Sequence, residues 1–220
     1  MSPTHYPIAW EHPATRRAWT AHMVMNVVGF IGWLAVWVGL LYVLVVFLSP
    51  GFVFLFVLPL GYCFYRAVTQ LRYFSPAFRM RRILQTYPWQ VLRDVSHGLN
   101  NHPNVSGKHY GWFEFSNPAR LDQPLPLVFS QHIRTEWWHR RMAPRTKVVL
   151  KSQIGVIWFA GDPRFIGLIA TSTQDGDRPR RMQVLEQRAE VKDGQSFTDW
   201  GATSEDIERG RRVGIYPAHS

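Results

Sequence analysis

Cysteine is almost absent from this chain, because Cys63 is the only one among its 220 residues. A single thiol excludes an intrachain disulfide framework and a zinc site built from several cysteines. Cys63 also lies inside a long apolar stretch of the sequence. We therefore predict that it is a small buried apolar side chain rather than a reactive group.

Charged side chains are missing from one long part of the chain, since residues 23–65 contain no Asp, Glu, Lys, Arg or His. As one helix this stretch would be about 64 Å long, roughly twice the hydrocarbon thickness of a bilayer. The sequence Ser49-Pro50-Gly51 supplies a break, because proline lacks an amide donor and glycine tolerates turn conformations. We predict a transmembrane helical hairpin over 23–68, with spans at about 24–48 and 51–68.

The second span is the shorter one, and a re-entrant segment is its alternative interpretation. The orientation of the spans in the membrane is predicted from arginines. These lie before the first span and after the second, whereas the connection between the spans has none. These arginines are Arg16, Arg17, Arg66, Arg72, Arg79, Arg81 and Arg82. Positively charged flanks stay in the cytoplasm, so we predict a multi-pass plasma-membrane protein with both termini cytoplasmic.

Three small residues, Gly32, Ala35 and Gly39, fall on one face of the first predicted span. Small side chains let two helices approach closely, so this face is expected to meet the second span or another copy of the chain. The alternative is that glycine is simply common in such helices. The possible partner here is therefore a homo-oligomer.

The rest of the chain divides by composition. We predict a cytoplasmic N-terminal segment over 1–22, a juxtamembrane helix over 69–88 and a cytoplasmic β-rich domain over 89–191. A polar, largely disordered tail is predicted over 192–220, with a short helix near Ser204–Arg209. The juxtamembrane helix mixes apolar and cationic residues and is expected to lie at the membrane surface. A plain continuation of the second span is its alternative.

Short β-type segments separated by turns dominate the domain that follows Pro88. They predict a small antiparallel β barrel or sandwich, so that the fold class is an α+β membrane protein. Residues 135–153 fit helix or strand, with Thr135 as a candidate cap of a short helix over Glu136–Met142. The predicted strands are Trp89–Val95, Tyr110–Phe115, Pro126–Gln131, Gly155–Phe159, Phe165–Ala170 and Met182–Gln187.

A clear turn signal lies between the predicted strands Gly155–Phe159 and Phe165–Ala170, which we expect to form a hairpin. Gly161, Asp162 and Pro163 form the predicted turn, in which Gly161 takes a positive φ and the Asp162 carboxylate bonds nearby backbone. Turn chemistry accounts for Asp162 better than catalysis does.

Sequence motifs for common chemistry are also missing. The chain has no phosphate-binding glycine loop, no nucleophile elbow and no paired-histidine metal motif. The nine histidines are scattered, and the densest group, His97, His102 and His109, lacks carboxylates at ligand spacing. We predict no catalytic residue, no metal site and no cofactor.

Acidic residues are scarce: 15 stand against 25 lysines and arginines, and the formal net charge is +10. Glu136 is the only acid between residues 134 and 151, where cations surround two adjacent tryptophans. Membrane phospholipid is the expected partner rather than nucleic acid, because a tether keeps lipid at high effective concentration. The alternative is a solvated charged face with one tryptophan in the core. The predicted contacts are Arg134, Trp137, Trp138, Arg140, Arg141, Arg145 and Lys147.

Two short motifs accompany the predicted hairpin of helices: Tyr87-Pro88-Trp89-Gln90-Val91, and the run from Trp158 to Phe165. With them the chain resembles, over residues 20–188, a group of two-span integral membrane proteins of actinobacteria. That resemblance implies a plasma membrane of the Gram-positive type. It implies no activity and no site residue.

The sequence thus favours a non-enzymatic binding or adaptor module, anchored at the cytoplasmic face of the plasma membrane and contacting lipid or a protein partner. One alternative is a membrane-associated hydrolase or transferase that uses Asp162, His97 or His139. Another is an oligomeric pore or transport subunit, although the spans carry no intramembrane charge of the kind that marks ion paths.

Overall fold

The computed structural model describes residues 6–47, 51, 53–105, 107–172, 178–188 and 197–215. The chain divides into two compact units. One unit is Trp19–Phe78, and the other combines Met1–Ala18 with Arg79–Ser220. The first is helical, and the second contains all of the described strands.

Two long apolar helices lie near the N-terminus, as predicted. Helix α1 runs over Pro13–Phe47 and helix α2 over Val53–Leu71. Both are long and apolar enough to cross a membrane, by the criteria of length and composition. Cys63 on α2 is buried, as predicted. Ser49 and Pro50, the predicted break, lie outside the described residues.

The contacts between α1 and α2 do not use the predicted face of small residues. The Trp33 ring meets the Tyr62 ring edge-on at 5.6 Å between centroids. Gly32, Ala35 and Gly39 are exposed, and a Cβ at either glycine would meet nothing within 4 Å. The prediction that this face meets the second helix is therefore wrong, because larger aromatic side chains make that contact. Its use by another copy of the chain stays a prediction.

Helix α3 runs over Phe74–Thr86 and is separated from α2 by a turn. Its apolar residues Met80, Ile83 and Leu84 are buried in the protein. These three side chains are therefore not available to lipid, whereas Phe78 on the same helix is 49% exposed. The location of this helix at the membrane surface stays a prediction. Spacing along a helix identifies an apolar face but does not say whether lipid or protein covers it.

Seven strands form one antiparallel sheet in the order β1-β5-β6-β7-β4-β3-β2. The six predicted strands are all present, within a few residues at their ends, and β2 is an additional short edge strand. Their bounds are β1 Gln90–Arg93, β2 His97–Leu99, β3 Tyr110–Ser116, β4 Pro124–Ser130, β5 Val156–Asp162, β6 Ile166–Ser172 and β7 Pro179–Gln187.

The sheet is open, as a half-barrel, rather than a closed barrel or a two-layer sandwich. Helix α4, Glu136–Met142, and the residues after it contribute Trp138, Met142 and Ile154 to the core on one face of the sheet. This connection between β4 and β5 covers the apolar face, so the sheet does not need to close on itself. The strand residues of that core are Phe113, Phe115, Leu127, Phe129, Ile157, Phe159, Ile169 and Leu185.

The described residues up to Ala18, including the start of α1, belong to the unit that contains the sheet. The Ala9 N–H donates to the Tyr87 carbonyl oxygen at 2.9 Å. The indole N–H of Trp89 donates to the Thr15 hydroxyl oxygen, also at 2.9 Å. The predicted N-terminal segment is thus partly a structural element of this unit, which no local sequence signal indicated.

The C-terminal segment is ordered over residues 197–215. Helix α6 runs over Ser204–Arg212 and begins with a capping box formed by Thr203 and Asp206. Trp200 and Val213 are buried. The short helix predicted near Ser204–Arg209 is therefore present, but the tail is not disordered over these residues, because polar composition concealed a few side chains that are buried.

Candidate functional site

Two residues of the predicted turn, Gly161 and Asp162, instead end strand β5 and pair with Gly167 and Ile166, so that the turn itself is residues 163–165. Gly161 takes a φ of +148°, and a Cβ there would lie 2.4 Å from the Ile166 carbonyl oxygen. The Asp162 carboxylate accepts a hydrogen bond from the Arg164 N–H at 3.0 Å. The Phe165 N–H donates to the Asp162 carbonyl oxygen at 2.9 Å and closes the turn. Backbone geometry thus requires glycine at 161, and the Asp162 carboxylate stabilises the turn through its hydrogen bond.

A buried ion cluster lies beside this turn. The Arg164 guanidinium donates to Asp162 through Nε at 3.0 Å and Nη2 at 2.6 Å. Nη2 also lies 3.0 Å from an Asp206 carboxylate oxygen, and Nη1 donates to the Gly201 carbonyl oxygen at 2.9 Å. Arg164 thereby joins the hairpin to the C-terminal segment.

The ionisation of the cluster follows from these contacts. Burial favours the neutral form of Asp206, but hydrogen bonds from Thr203 and the charge of Arg164 outweigh it and lower the pKa of this carboxyl. Burial, together with the charge of Asp162, raises the pKa of the Tyr87 hydroxyl. The cluster therefore holds the Asp206 carboxylate in its charged form against a fixed cation, beside a phenol that keeps its proton.

The predicted histidine group is dispersed among structural contacts. His102 is buried, with Nε2 3.0 Å from a Glu114 carboxylate oxygen and Nδ1 accepting the Asn104 N–H at 3.2 Å. The His97 Nδ1 lies 2.7 Å from the Val95 carbonyl oxygen. Within the described part of the chain, no three His, Cys, Asp or Glu side chains are grouped so that they could hold a metal ion.

The two adjacent tryptophans of the predicted basic surface have different environments. Trp138 is only 2% exposed, and its indole N–H donates to the Arg181 carbonyl oxygen at 3.0 Å. Its ring meets Phe113 edge-on at 5.8 Å between centroids. The structure therefore removes Trp138 from the predicted surface, because helical geometry turns neighbouring side chains by about 100° and directs this one into the core.

Trp137 remains partly exposed and lies beneath a cation. The guanidinium carbon of Arg141 is 3.7 Å from the centroid of the Trp137 ring, and that of Arg181 is 5.7 Å from it. Arg141 also donates to the Trp137 carbonyl oxygen at 3.0 Å and to Gln153 Oε1 at 2.8 Å. Burial, followed by repulsion from Arg181 and Arg140, lowers the pKa of Arg141.

The chain after α4 forms a second short helix with an exposed apolar pair. Helix α5 runs over Val148–Lys151, and Val148 and Val149 are 81% and 74% exposed. Lys147 precedes the pair and Lys151 ends the helix. Sequence reasoning missed these valines, although two adjacent apolar residues between lysines were the available signal.

Two hydrogen bonds hold this connection together. The Thr146 hydroxyl donates to the Arg140 carbonyl oxygen at 2.6 Å, and the Lys151 ammonium donates to the Pro144 carbonyl oxygen at 3.1 Å. Helix α4 and the start of α5 are therefore tied to the residues between them, where Arg140, Arg145 and Lys147 are exposed and Lys151 is half-buried. We define the α4–α5 surface as Arg140, Arg145, Lys147, Val148, Val149 and Lys151.

The remaining predicted contact, Arg134, lies in the turn before α4, where its N–H donates to His132 Nδ1 at 3.2 Å.

No protein family, curated protein or solved structure matches this chain. Function must therefore be inferred from the geometry of the two units. The surface feature best suited to binding is the exposed pair of valines among cations.

Proposed function

We propose that the protein is a non-enzymatic binding or adaptor module, anchored by α1 and α2 at the cytoplasmic face of the plasma membrane. The observation that carries the proposal is the pairing of two long apolar helices with one separately folded sheet unit. The helices supply the anchor, and the sheet unit supplies the surface that contacts lipid or a protein partner.

Exposed side chains along the two helices support the anchor. Val45 on α1 and Leu58 on α2 are 79% and 82% exposed. Soluble monomers rarely expose continuous apolar patches larger than a few hundred Å². A bilayer would cover both helices and remove this apolar surface from water. Arginines lie on either side of the apolar stretch, whereas residues 23–65 contain none. This distribution favours cytoplasmic termini.

The surroundings of three side chains favour binding over the alternative of a hydrolase or transferase. Asp162 is paired with Arg164 inside the ion cluster. His139 is buried against the Phe129 ring. His97 packs against Phe113 on a different element. A general base needs a nearby nucleophile or substrate position, and these residues belong to separate structural contacts.

Membrane extraction of the full chain tests the anchor. Wild-type protein should stay in the membrane pellet after alkaline carbonate and high salt, and should be released only by detergent. Val36→Arg with Leu58→Arg should weaken insertion, because a mid-span arginine costs about 3 kcal/mol on the translocon scale. Leu121→Arg adds the same kind of charge at a residue 79% exposed in the β3–β4 loop and should change nothing. Release of the wild type by carbonate would contradict the proposal.

A further inference from the structure

We infer that the α4–α5 surface docks on anionic phospholipid head groups, with Val148 and Val149 entering the interfacial layer of the bilayer. This inference rests on the proposed membrane anchor, because the anchor keeps the sheet unit at high effective concentration next to lipid. It identifies both the partner of the proposed module and the residues that meet it.

The aliphatic pair is held in a defined position rather than on a loose loop. The Lys151 ammonium closes back on the Pro144 carbonyl oxygen, and the Ser152 hydroxyl donates to the Val149 carbonyl oxygen at 3.0 Å. These bonds fix α5 so that both valines point away from the protein, as their exposure shows. A preformed apolar projection loses little conformational entropy when it inserts into an interface.

Exposed cations precede the pair along the chain, and the half-buried Lys151 follows it. Arg145 and Lys147 precede the valines and are exposed, and within the described part of the chain neither makes an ion pair. Arg140 pairs with Glu136 at the surface, where such a pair is weak. Apolar residues bordered by Lys and Arg are typical of elements that lie in the head-group region of anionic membranes.

The aromatic side chains of this region favour lipid over nucleic acid. Single-stranded nucleic acid is bound by aromatic rings on which bases stack. Trp138 is buried, and the Trp137 ring is covered by Arg141 at 3.7 Å. Trp138 is therefore closed to a base and Arg141 occupies one face of Trp137, whereas two exposed valines have no counterpart in phosphate or base recognition. The surface therefore matches a bilayer in both charge and apolarity.

Depth-dependent quenching in nanodiscs tests the docking on the full chain. Cys63→Ala with Val149→Cys provides one labelling site for a fluorophore, and the discs contain doxyl-labelled lipid. Discs of phosphatidylcholine alone are compared with discs that also contain phosphatidylglycerol. We expect strong quenching in the anionic discs at low salt and weak quenching in the neutral discs. Added salt should reduce the anionic signal, because it screens exposed charges.

Charge variants identify the residues responsible. Arg140→Gln, Arg145→Gln and Lys147→Gln together should lower the docking equilibrium constant by roughly a hundredfold at low ionic strength. The matched control is Arg93→Gln, Lys108→Gln and Arg120→Gln, which removes three exposed cations elsewhere and should leave quenching unchanged. A fluorophore at Leu121→Cys, on an exposed loop position, should remain unquenched in both kinds of disc.

Each outcome has a definite meaning. A chain that does not enter neutral or anionic discs contradicts the anchor, and with it the docking. A chain that enters both but shows no quenching at residue 149 overturns the docking and leaves the anchor intact. Equal quenching in neutral and anionic discs, or an equal loss in both triple variants, overturns the assignment to anionic head groups at this surface.

Discussion

The guanidinium of Arg141 covers the ring of Trp137, with 3.7 Å between its central carbon and the ring centroid. Trp138, the next residue, stands nearly perpendicular to Trp137, at 82° between the ring planes, and lies in the core. One tryptophan thus belongs to the surface and its neighbour to the interior. The basic cluster is a boundary between the folded core and the α4–α5 surface.

The two tryptophans should differ in their contribution to stability. Trp138→Ala should lower the free energy of unfolding by about 3–5 kcal/mol, because it leaves a core cavity and removes the hydrogen bond to Arg181. Trp137→Ala should cost less, since its ring is only partly buried. Thermal unfolding of the full chain in mild detergent measures both. Equal losses would contradict the assignment of one ring to the core.

Substitutions at two glycines with positive φ should distinguish the cost of backbone strain from the cost of steric overlap. Gly161 and Gly107 have φ values of +148° and +109°, but only Gly161 has backbone atoms where a Cβ would lie. Gly161→Ala should therefore destabilise the protein by several kcal/mol, whereas Gly107→Ala should cost only about 1–2 kcal/mol of backbone strain. The midpoints of denaturant unfolding report the difference. A smaller loss for Gly161→Ala would show that the turn relaxes.

The ion cluster predicts acid sensitivity. The folded-state pKa of Asp206 is lowered, so its contribution to stability is present above the unfolded value of about 4 and is lost as pH falls through the folded value. Asp206→Asn should lower stability at pH 7 and flatten the fall in melting temperature below about pH 4. If wild type and Asp206→Asn lose stability in parallel below that pH, Arg164 does not hold this carboxylate as described.

His139 predicts a second, separate pH dependence. Burial, followed by the charge of His132, lowers the pKa of His139, and its Nε2 has no hydrogen-bond partner among the described residues. The unfolded chain therefore gains a proton first, and stability should fall as pH drops below about 6.5. His139→Leu should reduce that slope between about pH 6.5 and 5. An unchanged slope would assign it to other groups, since the pKa of His132 is also lowered by burial.

The sequence predicted the elements that depend on local patterns. Uncharged length identified α1 and α2, and alternation and turn residues identified six strands. Gly161, Asp162 and Pro163 located the connection between β5 and β6, although the first two end β5. A short helix was predicted near Ser204–Arg209, but the distant contacts were missed: Arg164, 42 positions before Asp206, holds α6, and Tyr87 and Trp89 contact Ala9 and Thr15. No local periodicity in the sequence indicates contacts between residues so far apart along the chain.

The candidate surface was predicted in part for a related reason. Clustering of cations between 134 and 151 is visible in the sequence, and Arg140, Arg145 and Lys147 are indeed exposed. Which of two adjacent tryptophans turns inward depends on how α4 meets the sheet, so Trp138 was misplaced. The exposure of Val148 and Val149 was also hidden, because apolar residues are expected in cores and only the fold shows these two outside.

Reporter fusions test the central claim, a two-span anchor with the sheet unit in the cytoplasm, most directly. A reporter active only outside the cytoplasm and one active only inside are fused in turn to the N-terminus, to the C-terminus and within the connection between α1 and α2. Both termini should give the cytoplasmic signal and the connection the external one, because arginines flank the helices on one side alone. An external signal from either terminus, or a cytoplasmic signal from the connection, would contradict the account.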